Sequence, residues 1–278
     1  MNEMEIVEKK IISNYKCQRI AQLKIKAPQI AKKAEPGQFV VVMVGEVGER
    51  TPLTVVDTDK SLGTITLIAQ EAGLSTRLLA DMEVGDSLYT LVGPLGHPTK
   101  IKNYGKVILI GGGVGIAEIY PVARALKQAG NYLISILGAK TKDLLILEEQ
   151  LKEISDEFYV TTDDGSCGRG GFVTDVLNVL TAGETYDLVY AVGPLPMMKK
   201  VAELTSTFKI KTFVSLNALM VDATGMCGCC RVTVGGEVKF TCVDGPEFDA
   251  HNIDWQELQV RNKMYEKSEK HICKLKNT

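Results

Sequence analysis

The chain has 278 residues, 45% of them hydrophobic and 24% charged, with a formal net charge of -2. That length allows two domains with their own cores and a small further module. The slight acidic excess, with no basic stripe interleaved with aromatics, excludes an ordinary nucleic-acid binder. The acidic start Met1-Asn-Glu-Met-Glu-Ile lacks an apolar signal core, and no apolar run reaches membrane-spanning length, so a cytoplasmic protein with no membrane partner is expected.

Up to about residue 100 the pattern is one of short strands and turns. Residues 19–27 alternate roughly polar and apolar, and Ala34-Glu-Pro-Gly-Gln38 is a turn feeding the apolar run 39–44. Then come Arg50-Thr-Pro-Leu-Thr-Val55, a turn at 57–63 and a strand at 64–70. Residues 73–80 are the first helical pattern, and 84–96 close the region with one more strand and a turn. Several short strands with a single helix predict a small antiparallel barrel.

From residue 104 strands and helices alternate. Strands are predicted at 107–110, 132–137, 157–161, 188–192 and 214–216, and helices at 121–129, 147–154, 173–180 and 196–204. This is α/β patterning, a doubly wound parallel sheet with ligand groups beyond the C-terminal ends of its strands. From about 217 the chain carries cysteines and then a charged helix at 255–276. The expected domains are therefore 1–100, 101–216 and 217–278.

Two motifs carry chemistry. The wholly apolar run 107–110 leads into Gly111, Gly112, Gly113 and Gly115, and apolar residues from Ile116 onward recur at helical spacing. Strand, glycine loop and helix together can cradle a phosphate, because backbone N–H groups approach the anion where no Cβ intervenes. The loop departs from Gly-x-Gly-x-x-Gly, since Ile116 or Glu118 falls where the last glycine would stand; a purely structural tight turn is the alternative. The second motif is the cysteine cluster. Seven cysteines in a reducing compartment should stay reduced, and four of them crowd into residues 227–242. Cys227 and Cys230 have a two-residue gap, Gly225 and Gly228 free the backbone, and a hairpin at 232–240 turning on Gly235-Gly236 returns Cys242 beside the loop. Zinc, with His251 as fourth ligand, and an iron–sulfur cluster both remain open on these residues alone.

Barrel, glycine loop and cysteine cluster in this order resemble the ferredoxin–NAD(P) reductase superfamily. Within it the chain is similar to the small subunits of NADH-dependent ferredoxin:NADP oxidoreductases, with the electron-transfer subunits of dihydroorotate dehydrogenase as near cousins. The resemblance runs from Pro36-Gly-Gln-Phe39 to Asp244-Gly-Pro-Glu-Phe-Asp249. It implies FAD on the barrel, where Arg50, Pro52, Leu53 and Thr54 match an Arg-x-Pro-Leu-Thr flavin turn and Gly73, Ser75 and Thr76 open a helix suited to a phosphate. It implies NAD(H) on the second domain: pyrophosphate at Gly111, Gly112, Gly113, Gly115 and Ile116, ribose at Asp163 and Asp164, nicotinamide near Gly193, Pro194 and Met197. A carboxylate accepts from a ribose diol and repels a 2′-phosphate, favouring NADH, whereas Lys140 and Lys142 cut the other way. The plain alternatives are a solvated turn for Arg50, an N-cap for Ser75, and an Asx turn closed by Gly165 for the aspartates.

For the cysteines the resemblance implies a [2Fe-2S] cluster held by Asp222, Cys227, Cys230 and Cys242, the aspartate being the mark of the bifurcating subunits. Cys229 stands where glycine is usual and competes as a ligand; Cys17, Cys167 and Cys273 are expected to be bystanders, and His97 a solvated turn residue near the flavin. The implied function needs no acid–base catalytic residues. It is electron transfer between NAD(H), FAD, the cluster and a larger flavin and iron–sulfur partner subunit in a heterodimer, with ferredoxin reached indirectly. The rival expectations are the electron-transfer subunit of dihydroorotate dehydrogenase and a non-catalytic zinc-binding assembly module.

Overall fold

Alternating apolar residues build the first part of the chain, which the computed structural model describes over residues 3–16 and 18–265. The strands β1 (Ile6–Tyr15), β2 (Gln18–Lys26), β3 (Phe39–Met43), β4 (Thr51–Thr54), β5 (Asp57–Asp59), β6 (Thr64–Gln70) and β7 (Thr90–Leu95) are accompanied by α1 (Pro28–Lys33) and α2 (Leu74–Asp81). They form two antiparallel sheets, ordered β1-β2-β6-β5 and β4-β3-β7. Ile6, Leu23, Ile25, Ile65 and Leu67 of the first sheet share one core with Val40 and Val42 of the second, each such burial stabilising by about 1.5–3 kcal/mol. The result is the expected barrel-like region. Pro52 is tolerated because β4 is an edge strand. The short helix α1 was not anticipated; Pro28 at its start pre-sets the helical φ, but six residues are too few to show a period.

The alternating half contains β8 (Lys106–Gly112), α3 (Gly115–Gln128), β9 (Tyr132–Ala139), α4 (Glu148–Ile154), β10 (Glu157–Thr162), β11 (Arg169–Gly170), α5 (Val173–Gly183), β12 (Leu188–Val192), α6 (Leu195–Thr207) and β13 (Thr212–Ser215). Its strands run parallel in the order β11-β10-β9-β8-β12-β13. Val107, Ile108, Leu109 and Ile110 are fully buried, as their unbroken apolar run requires of a strand covered on both faces. The chain winds one way from β8 to β10 and the other way through β12 and β13. The switch point thus opens between β8 and β12, beyond whose C-terminal ends the glycine loop and Gly193 lie.

The last part holds β14 (Arg231–Val234), β15 (Glu237–Phe240), the single turn α7 (Thr241–Asp244), β16 (Glu247–Asp249) and α8 (Trp255–Asn262). Gly235 and Gly236 close the predicted hairpin with φ of +60° and +82°, the left-handed pair a tight turn between twisted strands requires. β16 adds an antiparallel edge to β13, an element whose three residues show no period. Asp254 caps α8, accepting from the Glu257 N–H at 2.9 Å. The part of the predicted charged helix beyond residue 265, with Cys17 and Cys273, lies outside the described residues.

By their internal contacts the described residues divide into two units. Unit 1 joins the barrel, up to His97, to Ala218–Gly245 and to the chain from Asp254; unit 2 is Pro98–Asn217 with Pro246–Ile253. Among the described residues no helix is long and apolar enough to cross a membrane.

Candidate functional site

In unit 2 the glycine loop and the Gly193-Pro194 loop meet at the switch point, and internal packing explains most of their glycines. A methyl on Gly115 would stand 2.6 Å from the Val192 carbonyl oxygen, and one on Gly193 would stand 3.0 Å from Gly112 Cα. A methyl on Gly112 would collide with the Met197 sulfur, and one on Gly111 would stand 2.9 Å from Ile116 Cα. These glycines let the loop after β8 and the Gly193-Pro194 loop touch backbone to backbone. Gly113 differs: its φ is +56° and the space above it is open. Ile116 is fully buried and anchors the helix start, its N–H turned to the Gly113 carbonyl at 3.2 Å.

Asp163 and Asp164 follow β10 at the same edge of the sheet. Asp164 builds the turn: its Oδ1 accepts from the Ser166 N–H at 3.0 Å and hydroxyl at 2.6 Å, and these donors, the hydroxyl foremost, hold its carboxyl below the ordinary range. Gly165 closes that turn with φ of +70°. Asp163 is exposed, and its carboxylate has no hydrogen-bond partner among the described residues. The two aspartates therefore part company, one in the turn and one toward solvent.

Sequence reasoning missed a half-buried carboxylate in the same unit. Glu247 on β16 accepts from the Tyr190 hydroxyl at 2.7 Å and from the Thr99 hydroxyl, and it pairs in register with Ser215 at the C-terminal end of β13. Burial pushes its carboxyl above the ordinary glutamate value despite the two donors, and burial raises the Tyr190 phenol strongly as well. The available signal was Gly245-Pro-Glu-Phe-Asp249, where proline forces extended backbone and Glu247 and Phe248 then face opposite sides. His251, the zinc alternative's fourth ligand, instead has its Nε2 against the Thr205 hydroxyl at 3.0 Å.

Unit 1 holds the cysteine loop. Asp222 organises it, its two oxygens accepting the Thr224 N–H at 2.9 Å and the Cys227 N–H at 3.0 Å. The first of these leads in holding its carboxyl low. Left-handed backbone at Ala223 (φ +59°), Gly225 (+83°) and Gly228 (+68°) coils the segment. The hairpin brings the Thr241 N–H to the Cys230 carbonyl at 3.0 Å, and the buried Cys230 and Cys242 sulfurs stand 3.2 Å apart. Burial, then the neighbouring Cys230, pushes the Cys242 thiol up to about 12. Burial, then hydrogen-bond contact with Cys227, also raises the Cys229 thiol. Cys230 and Cys242 thus stand sulfur to sulfur and buried, while Cys227 is exposed and Cys229 half-buried. Among the described residues no three His, Cys, Asp or Glu groups converge as they would on one ion. Adjacent Cys230 and Cys242 sulfurs, with Cys227 and the Asp222 carboxylate in the same loop, are donors of the kind a two-iron cluster takes, so the residues fit such a cluster.

Beside the loop lies a pocket of about 440 Å³ within unit 1. Arg50, His97, Asp222 and Cys242 line it together with apolar Val41, Val92, Leu95 and Val243. Arg50 is exposed and has no ion pair among the described residues. The size and the mostly apolar wall with one cation suit a planar ring system such as a flavin. Pro52, Leu53 and Thr54 follow Arg50 on β4, held against β3. At the start of α2 the Thr76 hydroxyl accepts the Gly73 N–H at 3.1 Å and so caps its own helix, while the Ser75 hydroxyl donates to Glu49 at 3.0 Å.

A barrel-like antiparallel region, a doubly wound sheet with its ligand crevice, and a cysteine module define a ferredoxin-reductase-like redox protein, and known proteins agree. Residues 109–203 match a family described as oxidoreductase NAD-binding domain, and 217–254 match the iron–sulfur cluster binding domain of dihydroorotate dehydrogenase B. A Thermotoga maritima protein named dihydroorotate dehydrogenase B (NAD(+)), electron transfer subunit homolog, is 50% identical over 88% of this chain and 87% of its own. The electron transfer subunit of Geobacillus thermodenitrificans is 33% identical over 90% of this chain and 97% of its own. A chain of the NADH-dependent reduced ferredoxin-NADP oxidoreductase structure, solved for insight into flavin-based electron bifurcation, superposes with a TM-score of 0.92. It is 46% identical and covers 99% of this chain and 98% of that one. The protein belongs to the family of dihydroorotate dehydrogenase B electron-transfer subunits and their homologues, redox subunits with an NAD-binding and an iron–sulfur domain.

Proposed function

We propose that the chain carries FAD on unit 1, NAD(H) on unit 2 and a [2Fe-2S] cluster in the cysteine loop. It then acts as the small electron-transfer subunit of an NADH-dependent ferredoxin:NADP oxidoreductase, in the cytoplasm. Its partner is a larger flavin and iron–sulfur subunit in a heterodimer, through which ferredoxin is reached. The segments 1–100, 101–216 and 217–278 divide this work as flavin, dinucleotide and cluster parts. One observation carries the reading: Arg50 of the flavin motif and Asp222 and Cys242 of the cysteine loop line a single pocket.

Bound FAD supplies the exchange between a two-electron hydride and single electrons. The residues do the holding. Arg50 neutralises a phosphate or an electron-rich ring, while Val41, Val92 and Leu95 exclude water from it. Gly113 and the start of α3 hold the pyrophosphate, with Gly193, Pro194 and Met197 toward the nicotinamide and Asp163 toward the ribose. Asp222, Cys227, Cys230 and Cys242 would hold the cluster. Each Asp222 oxygen, though it accepts one N–H, keeps a lone pair for metal.

Protein purified without oxygen should show flavin and iron–sulfur bands in its visible spectrum, whereas a zinc module would be colourless. A second reading, the electron-transfer subunit of a dihydroorotate dehydrogenase, is supported by the match over 217–254. Two variants separate them. Asp222→Ala should make the cluster labile and Cys229→Ser should keep its iron; the reverse result would give four sulfur ligands and favour the second reading.

A further inference from the structure

Among the described residues, two buried side-chain polar atoms have no hydrogen-bond partner, Thr241 Oγ1 and Arg261 Nε. Leaving a buried donor unpaired costs about 1–3 kcal/mol, so native structures keep few of them. Both belong to unit 1, and both sit on the cysteine loop. Thr241 is fully buried, precedes Cys242 in the chain, and gives its backbone N–H to the Cys230 carbonyl at 3.0 Å. Arg261 reaches from the last turn of α8 and gives Nη2 to the Cys229 carbonyl at 3.1 Å and the Gly228 carbonyl at 3.4 Å. Among the described residues its Nε–H has no acceptor. Arg261 lies beyond the 217–254 stretch that the iron–sulfur family covers.

We infer that Arg261 and Thr241 are hydrogen-bond donors to the sulfur of the cluster, and that together they set its reduction potential. The inference rests on the proposed cluster. Thiolate and sulfide sulfur accept hydrogen bonds, and such bonds are a recognised control on cluster potential. The electron that reduces the cluster adds negative charge. A guanidinium and a hydroxyl free to donate beside that charge stabilise the reduced form and raise the potential. Arg261 acts in two ways: its charge persists whatever the loop does, while its Nη2 bonds fix the backbone from which Cys227 and Cys230 project. Thr241 has the donor alone.

The test is a redox titration followed by the EPR signal of the reduced cluster, with iron per chain measured on each sample. Thr241→Val, which keeps shape and removes the hydroxyl, should shift the midpoint to lower potential at unchanged iron, and Thr241→Ser should restore it. Arg261→Gln should lower the midpoint further, and Arg261→Lys should recover part of the loss because the charge remains. In resonance Raman, exchange into D2O should shift the iron–sulfur bands of the native protein, and this shift should shrink in Thr241→Val. Midpoints equal to wild type in Thr241→Val and Arg261→Gln, with full iron, would overturn the inference: Arg261 would then be a loop clamp and Thr241 paired to buried water. If Arg261→Gln loses iron, the Thr241 pair decides, since its backbone bond to Cys230 is untouched. Wild-type protein without iron would instead defeat the cluster assignment itself.

Discussion

The dinucleotide crevice of unit 2 and the cysteine loop of unit 1 are built on opposite principles. The crevice is made of backbone. Gly112, Gly115 and Gly193 are there because the main chains of two loops touch, and the site is shaped before any ligand arrives. The cysteine loop is made of side chains. Its sulfurs press on one another, and two of its donors lack acceptors. The first region is complete in itself; the second is completed by what it binds. Stability should therefore respond to ligand in one region and to methyl groups in the other.

The largest effect expected is at the loop. Cys242→Ser should remove a buried ligand, with loss of iron and of the visible cluster bands. Unit 2 should keep its affinity for NADH within roughly twofold, as sites that share no partners do. Loss of NADH binding as well, measured by fluorescence titration, would break the comparison by showing that the two regions stand or fall together.

Next comes the crevice. Gly115→Ala drives a methyl against the Val192 carbonyl, which is backbone and cannot yield, and should cost about 2–3 kcal/mol in denaturant unfolding. Gly112→Ala meets the end of the Met197 side chain, which can swing away, and the Pro194 ring at 3.1 Å, which needs to give only a few tenths of an ångström, so about 1 kcal/mol is expected. Equal losses would mean that the loop is softer than its contacts imply.

How much of this was legible in the chain follows from the same contrast. The apolar run 107–110, the helices around it and the Gly235-Gly236 turn were readable because period and turn chemistry are local. The glycine loop was legible as a motif but not in its reasons, since Met197 and Val192 meet it from far along the sequence. Asp222, Cys227, Cys230 and Cys242 could be named from spacing and resemblance, yet the N–H groups of Thr224 and Cys227 that Asp222 gathers could not. Arg261 was invisible, and Glu247 had only the preceding proline to mark it. Each is an ordinary charged residue until a three-residue strand or a helix turn sets it against Tyr190 or the cysteine loop.

Glu247 gives the third test. Tyr190→Phe removes one of two donors from a half-buried acceptor and should cost about 0.5–1.5 kcal/mol. The pH dependence has a definite sign. The folded carboxyl binds its proton more tightly than the unfolded one, so its stabilising share is full below the ordinary glutamate value and is lost as pH rises through the folded one. Glu247→Gln, with Tyr190 and Thr99 still facing an acceptor oxygen, should flatten that decline and raise the melting temperature at neutral pH. An unchanged slope would mean that Glu247 titrates as if in water.

The smallest effect expected divides the two aspartates. Asp164 is spent on its turn, so Asp164→Ser should cost roughly 0.5–1.5 kcal/mol, the worth of a hydrogen bond, and leave the preference between NADH and NADPH nearly as it was. Asp163 has no such bond, so Asp163→Ser should be neutral for stability and should relax the discrimination, because the charge that repels a 2′-phosphate is gone. Lys140 and Lys142, near in sequence to the Thr141 that meets Ser166 at 3.3 Å, should then help NADPH more than before. Rates of flavin reduction by each dinucleotide, measured for both single variants, decide it. If Asp164→Ser alone relaxes the preference, the turn and not the free carboxylate selects the cofactor. If the native protein already reduces its flavin faster with NADPH, a carboxylate at this edge is not acting as the selector at all.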